Sequence, residues 1–252
     1  MNSAKPIYRL GHTSFSLSHQ DSEFERVVSR LFISGAPANS VETEIIDVQM
    51  GLSLDVGECM QQLIARHRDC LFIQAACLSS PDGLTVLLAG EFGSGKTTMT
   101  LALALGYGWK VIADDLLLVD TVKERLISLA APCKLADGVR QQLSCAGVQL
   151  PGFILREWYP LSRTHIADDC TAEFDIAVYL DKPDCKPFSW AACTPSEFTR
   201  KVLPISNLLQ LRGTNTFVNY LPENWCYTTG GGNLKERLSA LLELCREAHS
   251  KE

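Results

Sequence analysis

Gly90–Thr98 reads GEFGSGKTT, and Asp114-Asp115 follows seventeen residues after Thr97. The first stretch fits the phosphate-binding pattern G-x-x-x-x-G-K-[ST]. A polyphosphate needs several donors that converge without obstruction. Gly93 and Gly95 tolerate φ > 0 and let the backbone turn its N–H groups inward. A helix beginning near Lys96 adds the positive end of its dipole. Lys96 is placed to reach the β- and γ-phosphates, and the Thr97 hydroxyl to ligate magnesium. Gly90, Phe92, Gly93, Ser94, Gly95, Lys96, Thr97 and Thr98 form the expected nucleotide-binding set. A chance glycine-rich turn is the rival account. It is disfavoured because the pattern also requires a strand before and a helix after, and Leu84–Ala89 and Thr98–Leu105 supply both.

The aspartates are placed by the same geometry. A helix of about ten residues descends ~15 Å from the loop. Lys110–Ala113 climbs ~13 Å back as a strand. A right-handed crossover would return Asp114 to the edge of the sheet that carries the loop. Carboxylates there can hold a cation and accept a proton. The alternative is that one or both only cap a turn.

Outward from this core, Tyr8–Ser18 has strand-like content, and Glu44–Val48 reads as a strand. Between them, Ser22 with Glu25 makes a capping box. Phe24, Val27, Val28, Leu31 and Phe32 follow at helical spacing, and Gly35-Ala36-Pro37 ends the helix. A second helix is expected from Asp55, with Met60, Leu63 and Ile64 inward. Leu71–Leu78 reads as one buried strand and Ser79–Gly83 as a turn. Gly106 and Gly108 stop the helix after the loop. Leu116–Val119 and Leu126–Leu129 read as a hairpin. Residues 132–170 read as loop-rich with a short helix, and Phe174–Leu180 as a strand. Thr194-Pro195-Ser196-Glu197 starts a helix that Pro204 breaks. The last helix starts at Asn233 with Glu236 three residues on. Its expected buried stripe is Leu234, Leu238, Leu241, Leu242 and Cys245.

The bulk numbers exclude several classes. The chain has 252 residues, 46% of them hydrophobic, and a net charge of −6 with no basic run, so a nucleic-acid surface is not expected. No apolar run approaches the roughly 20 residues of a membrane span. The ten cysteines form no C-x-x-C pair and lie mostly among apolar residues, as in LFIQAACL. They read as reduced small hydrophobes, which points to the cytoplasm. The N-terminus has no apolar stretch of the secretory kind.

The stretch GEFGSGKTTMTLALALGYGWKVIADDLLLVD resembles the core of the HPr kinase/phosphorylase family and its shorter relatives. There a phosphate loop is followed directly by a helix, a Gly-Trp or Gly-His turn and a strand ending in Asp-Asp. The resemblance is specific over about 71–132 and weaker elsewhere. It implies an α/β fold with a P-loop kinase core of the HPr kinase/PEP carboxykinase type over residues 51–252. A small N-terminal α+β module would occupy 1–50, similar to that of members found beside peptide natural-product genes. It further implies a serine kinase using ATP and Mg2+. Asp114 would be the base toward the acceptor hydroxyl, and Asp115 would ligate magnesium with Thr97, although the two aspartates could exchange roles. Lys96 would steady the transferred group. Lys134 sits where short relatives have a basic residue near the phosphates, so it is a third catalytic candidate; a solvated surface lysine is the alternative. The full-length family forms oligomers, which makes self-association an expectation.

Two departures from the family pattern bear on substrate. Gln74-Ala75-Ala76 stands where members often have a histidine before two alanines, and the second signature E-x-R-G-x-G is missing. Both lead away from HPr as acceptor, and the second leads away from the reverse reaction. The expected acceptor is a serine of a peptide or small protein, such as a ribosomal natural-product precursor of the lasso-peptide kind. The rivals are a kinase of small-molecule hydroxyls, a plain ATPase, and a nucleotide-gated binding module that transfers nothing. Arg156, Arg163, His165 and Gly230-Gly231-Gly232 are weaker candidates, read mainly as solvated loop charges and as a lead-in to the last helix.

Overall fold

The computed structural model describes residues 7–10, 13–18, 33–34, 46–49, 61–62, 64–67, 69–128, 132–150, 157–167, 171–183 and 186–250. Before residue 50, β1 (Ile7–Leu10), β2 (Thr13–Ser18), β3 (Ile33–Ser34) and β4 (Ile46–Gln49) form a four-stranded sheet in the order β3-β1-β2-β4. The strand-like content of Tyr8–Ser18 is thus a hairpin, with Tyr8 opposite Phe15. The helix expected after Ser22 falls on 21–32, outside the described residues. It cannot extend to Gly35, because Ile33–Ser34 pairs with β1. The start of the helix expected at Asp55 is also outside them; residues 61, 62 and 64 are helical.

The apolar run from Leu71 to Leu78 is two strands, not the single strand expected. β5 (Leu71–Ile73) pairs with β9 (Leu117–Asp120), which pairs with β10 (Arg125–Ile127), as a three-stranded antiparallel sheet. β6 (Ala75–Ser79) joins a six-stranded sheet instead. The break falls on Gln74, whose N–H leaves both ladders and donates to the Ile205 carbonyl at 2.8 Å. Apolar content cannot reveal such a break, because both halves are equally apolar in sequence, although Phe72 is exposed and Ala75–Leu78 is buried.

The larger sheet runs β14-β15-β13-β7-β6-β8, with β7 (Thr85–Ala89), β8 (Lys110–Ala113), β13 (Ile176–Leu180), β14 (Ser189–Ala192) and β15 (Cys226–Gly230). Between β10 and β13 the short strands β11 (Cys133–Lys134) and β12 (Trp158–Tyr159) pair with each other. β15, β13 and β7 are mutually parallel, while β6 opposes both β7 and β8. β8 therefore runs in the direction of β7, and Asp114 emerges at the same edge as Gly90.

Side-chain alternation sends Val86 and Leu88 to one face of β7 and Leu87 and Ala89 to the other. The first face is covered by α1 (Lys96–Tyr107), α2 (Val139–Cys145) and α5 (Leu234–His249), through residues such as Met99, Leu103, Leu143 and Leu241. The second is covered by α3 (Pro195–Val202), α4 (Thr214–Tyr220) and the three-stranded sheet, through Phe198, Phe217 and Val119. This is a mixed α/β fold with helices on both faces.

The caps explain the helix limits. α1 ends on Gly108 at φ 72, and Gly106 stays inside it. Thr194 and Asn233 each form the capping box expected of them, at α3 and α5. α5 buries Leu238, Leu241, Leu244, Cys245 and Ala248, with Leu234 and Leu242 only partly covered. None of the described helices is long and apolar enough to cross a membrane.

Candidate functional site

β7 ends at Ala89, and the next six residues turn the chain into α1. Gly90 enters at φ 154, and a Cβ there would lie 2.5 Å from the Leu180 carbonyl oxygen and 2.7 Å from Ser94 Oγ. Backbone at the end of β13 and the loop's own serine thus leave room for glycine alone. Gly93 (φ 82) and Gly95 (φ 94) take left-handed conformations, and Gly95 is the N-cap of α1. The first intrahelical bond is Met99 N–H to Gly95 O at 3.0 Å. A helix leaves its preceding N–H groups without intrahelical acceptors, so donors gather at the loop. Gly90→Ala is expected to destabilise the fold by about 2–3 kcal/mol. A urea midpoint equal to wild type would show that the loop yields to the extra carbon.

Lys96 is buried, and its Nζ donates to the carbonyls of Gly90 at 2.7 Å and Glu91 at 2.9 Å. Burial pulls its pKa below the usual lysine range, while the carboxylates of Asp115, Asp114 and Glu91 push it back up. The Glu91 carboxylate also pairs with Lys182 Nζ at 2.9 Å. Phe92, at the tip of the loop, is 75% exposed.

Asp114 is 7% exposed, whereas Asp115 is exposed and sits at φ 69. Positive φ in a non-glycine residue is a local strain that tends to mark working positions. Burial raises the Asp114 pKa to about 6. The Thr97 hydroxyl lowers it, the Asp115 charge raises it, and Thr100 and the Cys133 thiol lower it. These groups sit close to the carboxyl without fully satisfying it. Asp114 Oδ1 and Thr100 Oγ1 are buried and form no hydrogen bond of good geometry, and the same holds for Ser94 Oγ. Burial and the Asp114 charge push the Cys133 thiol well above its usual pKa, so it stays protonated.

Lys96, Thr97, Asp114 and Asp115 are thus brought together at the carboxyl edge of the sheet. Lys134 is placed differently. Its Nζ lies 3.3 Å from Glu157 Oε1 and 5.8 Å from the centre of the Trp158 ring. Alternation along β11 turns it to the face opposite Cys133, the residue that meets Asp114. Arg163 and His165 lie in a turn where Ser162 Oγ meets His165 Nδ1 at 2.7 Å. Arg156 is outside the described residues.

The sequence reading missed three contributors. Thr100 lies one helical turn beyond Thr97, and Cys133 faces Asp114 from β11. The third, Arg237 of α5, is 3% exposed. Its Nη1 donates to the Ser94 carbonyl at 2.9 Å and its Nη2 to the Asp181 carbonyl at 3.1 Å. Nε and Nη2 also donate to the Gly231 carbonyl, at 3.0 and 2.8 Å. A signal existed: position 237 lies on the apolar stripe with Leu234 and Leu241, where a charged residue demands an explanation.

No protein-family model matches the chain, and no curated protein does. Among solved structures it is similar to the Hpr(Ser) kinase/phosphatase from Coxiella burnetii. The identity is 14% and the TM-score 0.35, over 71% of this chain and 97% of that one. At that identity and TM-score nothing is carried across from that protein to this chain.

The donor set suits a polyphosphate with a hard cation. Thr97, Asp114 and Asp115 offer oxygen ligands, and Asp114 Oδ1 is a buried acceptor without a partner. Among the described residues no three His, Cys, Asp or Glu side chains could hold a metal by themselves. A cation here would share its coordination with phosphate oxygens and water, the habit of magnesium.

Proposed function

We propose that the chain is an ATP- and magnesium-dependent kinase that transfers the γ-phosphoryl group to a hydroxyl, that of a serine in a peptide or small protein. The observation that carries this reading is the meeting of Lys96 with Asp114 and Asp115 at the mouth of a glycine loop. A cation for the phosphates and a carboxylate with a pKa near neutrality stand together there. Such a carboxylate is suited to take a proton from an alcohol at cellular pH.

In this reading the loop amides and Lys96 bind the triphosphate and fix its γ-phosphoryl group. Thr97 and Asp115 would hold magnesium, which when bound would supply further charge neutralisation on the phosphates. Asp114 receives the acceptor's hydroxyl proton as the phosphoryl group is transferred in line. Positioning and charge supply most of the rate in such reactions. The contact between Asp114 and Thr97 favours a second assignment, with Asp114 on the metal side and Asp115 as the base.

Incubation with γ-labelled ATP, a panel of serine-containing peptides and a panel of metabolites tests the proposal. Label on a peptide serine is the expected result. Label on a metabolite alone moves the acceptor to small molecules. Tight ATP binding with no labelled product from either panel overturns the kinase reading in favour of a nucleotide-gated module.

A further inference from the structure

The three carbonyls held by Arg237 share a topological property. Ser94 belongs to the loop after β7, Asp181 directly follows β13, and Gly231 directly follows β15. These strands are adjacent and parallel, so one guanidinium joins the chain at the carboxyl ends of all three. Taking a guanidinium out of water is costly unless its donors are satisfied. An apolar residue at 237 would have continued the stripe of α5 without that cost. Anchoring α5 alone does not explain an arginine there.

The bond to Ser94 has a directional effect. In a trans peptide the C=O of one residue and the N–H of the next point to opposite sides. Holding the Ser94 carbonyl against Arg237 sends the Gly95 N–H away from Arg237. A charge-assisted hydrogen bond to a carbonyl also polarises the amide it belongs to and strengthens its N–H as a donor. The Gly95 amide sits at the N-cap of α1, within the loop that carries Lys96.

We propose that Arg237 is a positioning residue for the phosphate chain: by fixing the Ser94–Gly95 peptide it aims the Gly95 N–H at the phosphates. This rests on the nucleotide reading of the loop given above. The test compares wild type, Arg237→Met and Arg237→Lys in full-length protein. It measures calorimetric affinity for inorganic tripolyphosphate and for ATP, the Gly95 amide resonance, and thermal melting.

In wild type the Gly95 amide proton is expected to move downfield when tripolyphosphate binds. Arg237→Met should bind tripolyphosphate on the order of tenfold more weakly, with that downfield shift lost. Arg237→Lys keeps the charge but not the fork, and should recover only part of both. A purely structural role would lower the melting temperature and leave the amide shift of the folded protein unchanged. Arg237→Met that is folded and binds tripolyphosphate like wild type overturns the proposal. Should Arg237→Met fail to fold, Arg237→Lys decides, and wild-type affinity with an unchanged Gly95 shift overturns it. If wild type itself binds neither tripolyphosphate nor ATP, the nucleotide reading falls, and the role of Arg237 with it.

Discussion

Asp114→Asn is expected to cut phosphoryl transfer by on the order of 10²–10⁴-fold while making the free protein more stable at neutral pH. The two effects share one cause. Burial raises the Asp114 pKa from 3.8 to about 6, so the folded state holds this group protonated more readily than the unfolded chain does. Below about pH 4 the group is protonated in both states and folding bears no penalty. As pH rises through about 6, a buried carboxylate must exist as an anion and that stability is lost. The gap of about two units corresponds to about 3 kcal/mol. Asparagine occupies the same space without the charge.

Urea midpoints without nucleotide or magnesium, at pH 4.5 and 7.5, read the effect. The wild type should lose stability relative to Asp114→Asn across that interval. Equal pH slopes, or an asparagine variant weaker than wild type at pH 7.5, would show that the buried charge is compensated. Transfer assays over a magnesium series separate the two aspartate roles. If excess magnesium restores activity to Asp114→Asn, Asp114 belongs to the metal side. If it does not, while Asp115→Asn responds, Asp114 is the base.

Lys96→Ala is expected to lower ATP affinity by on the order of 100-fold or more. Lys96 Nζ is buried, and it is the ammonium group held over the loop by the carbonyls of Gly90 and Glu91. Its removal takes a positive charge from beside two aspartates and leaves both carbonyls without their donor. Calorimetry with ATP and magnesium measures the loss. Affinity within a few-fold of wild type would mean that the triphosphate lies elsewhere.

The stretch from Leu84 to Asp115 was legible because each of its signals is local. An apolar run, a glycine loop, a small-residue helix and a four-residue strand follow one another, and each element limits the next. The capping boxes at Thr194 and Asn233 were legible for the same reason. What failed depended on partners distant in sequence. β14 (SWAA) and β15 (CYTTG) carry neither alternation nor an apolar run, and they are strands because they pair with each other and with β13. The helix α4 was not anticipated either; it lacks a side-chain cap. The break at Gln74 was hidden because the interruption is made by Ile205, far along the chain. The placement of Lys134 turned on Glu157 and Trp158, which only the pairing of β11 with β12 brings near. The place of Arg237 on the apolar stripe of α5 is a local signal, but its partner is not legible, because Ser94 is 143 residues away.

That separation governs when the loop becomes competent. The sheet takes β7 from residue 85, β13 from residue 176 and β15 from residue 226, and parallel pairings so distant in sequence form late and slowly. On the ribosome the glycine loop is made long before the arginine that holds its backbone. A nascent chain can therefore possess every residue of the nucleotide motif and still lack the aimed amide. On the proposed role of Arg237, competence would arrive when α5 docks, linking ligand binding to completion of the fold.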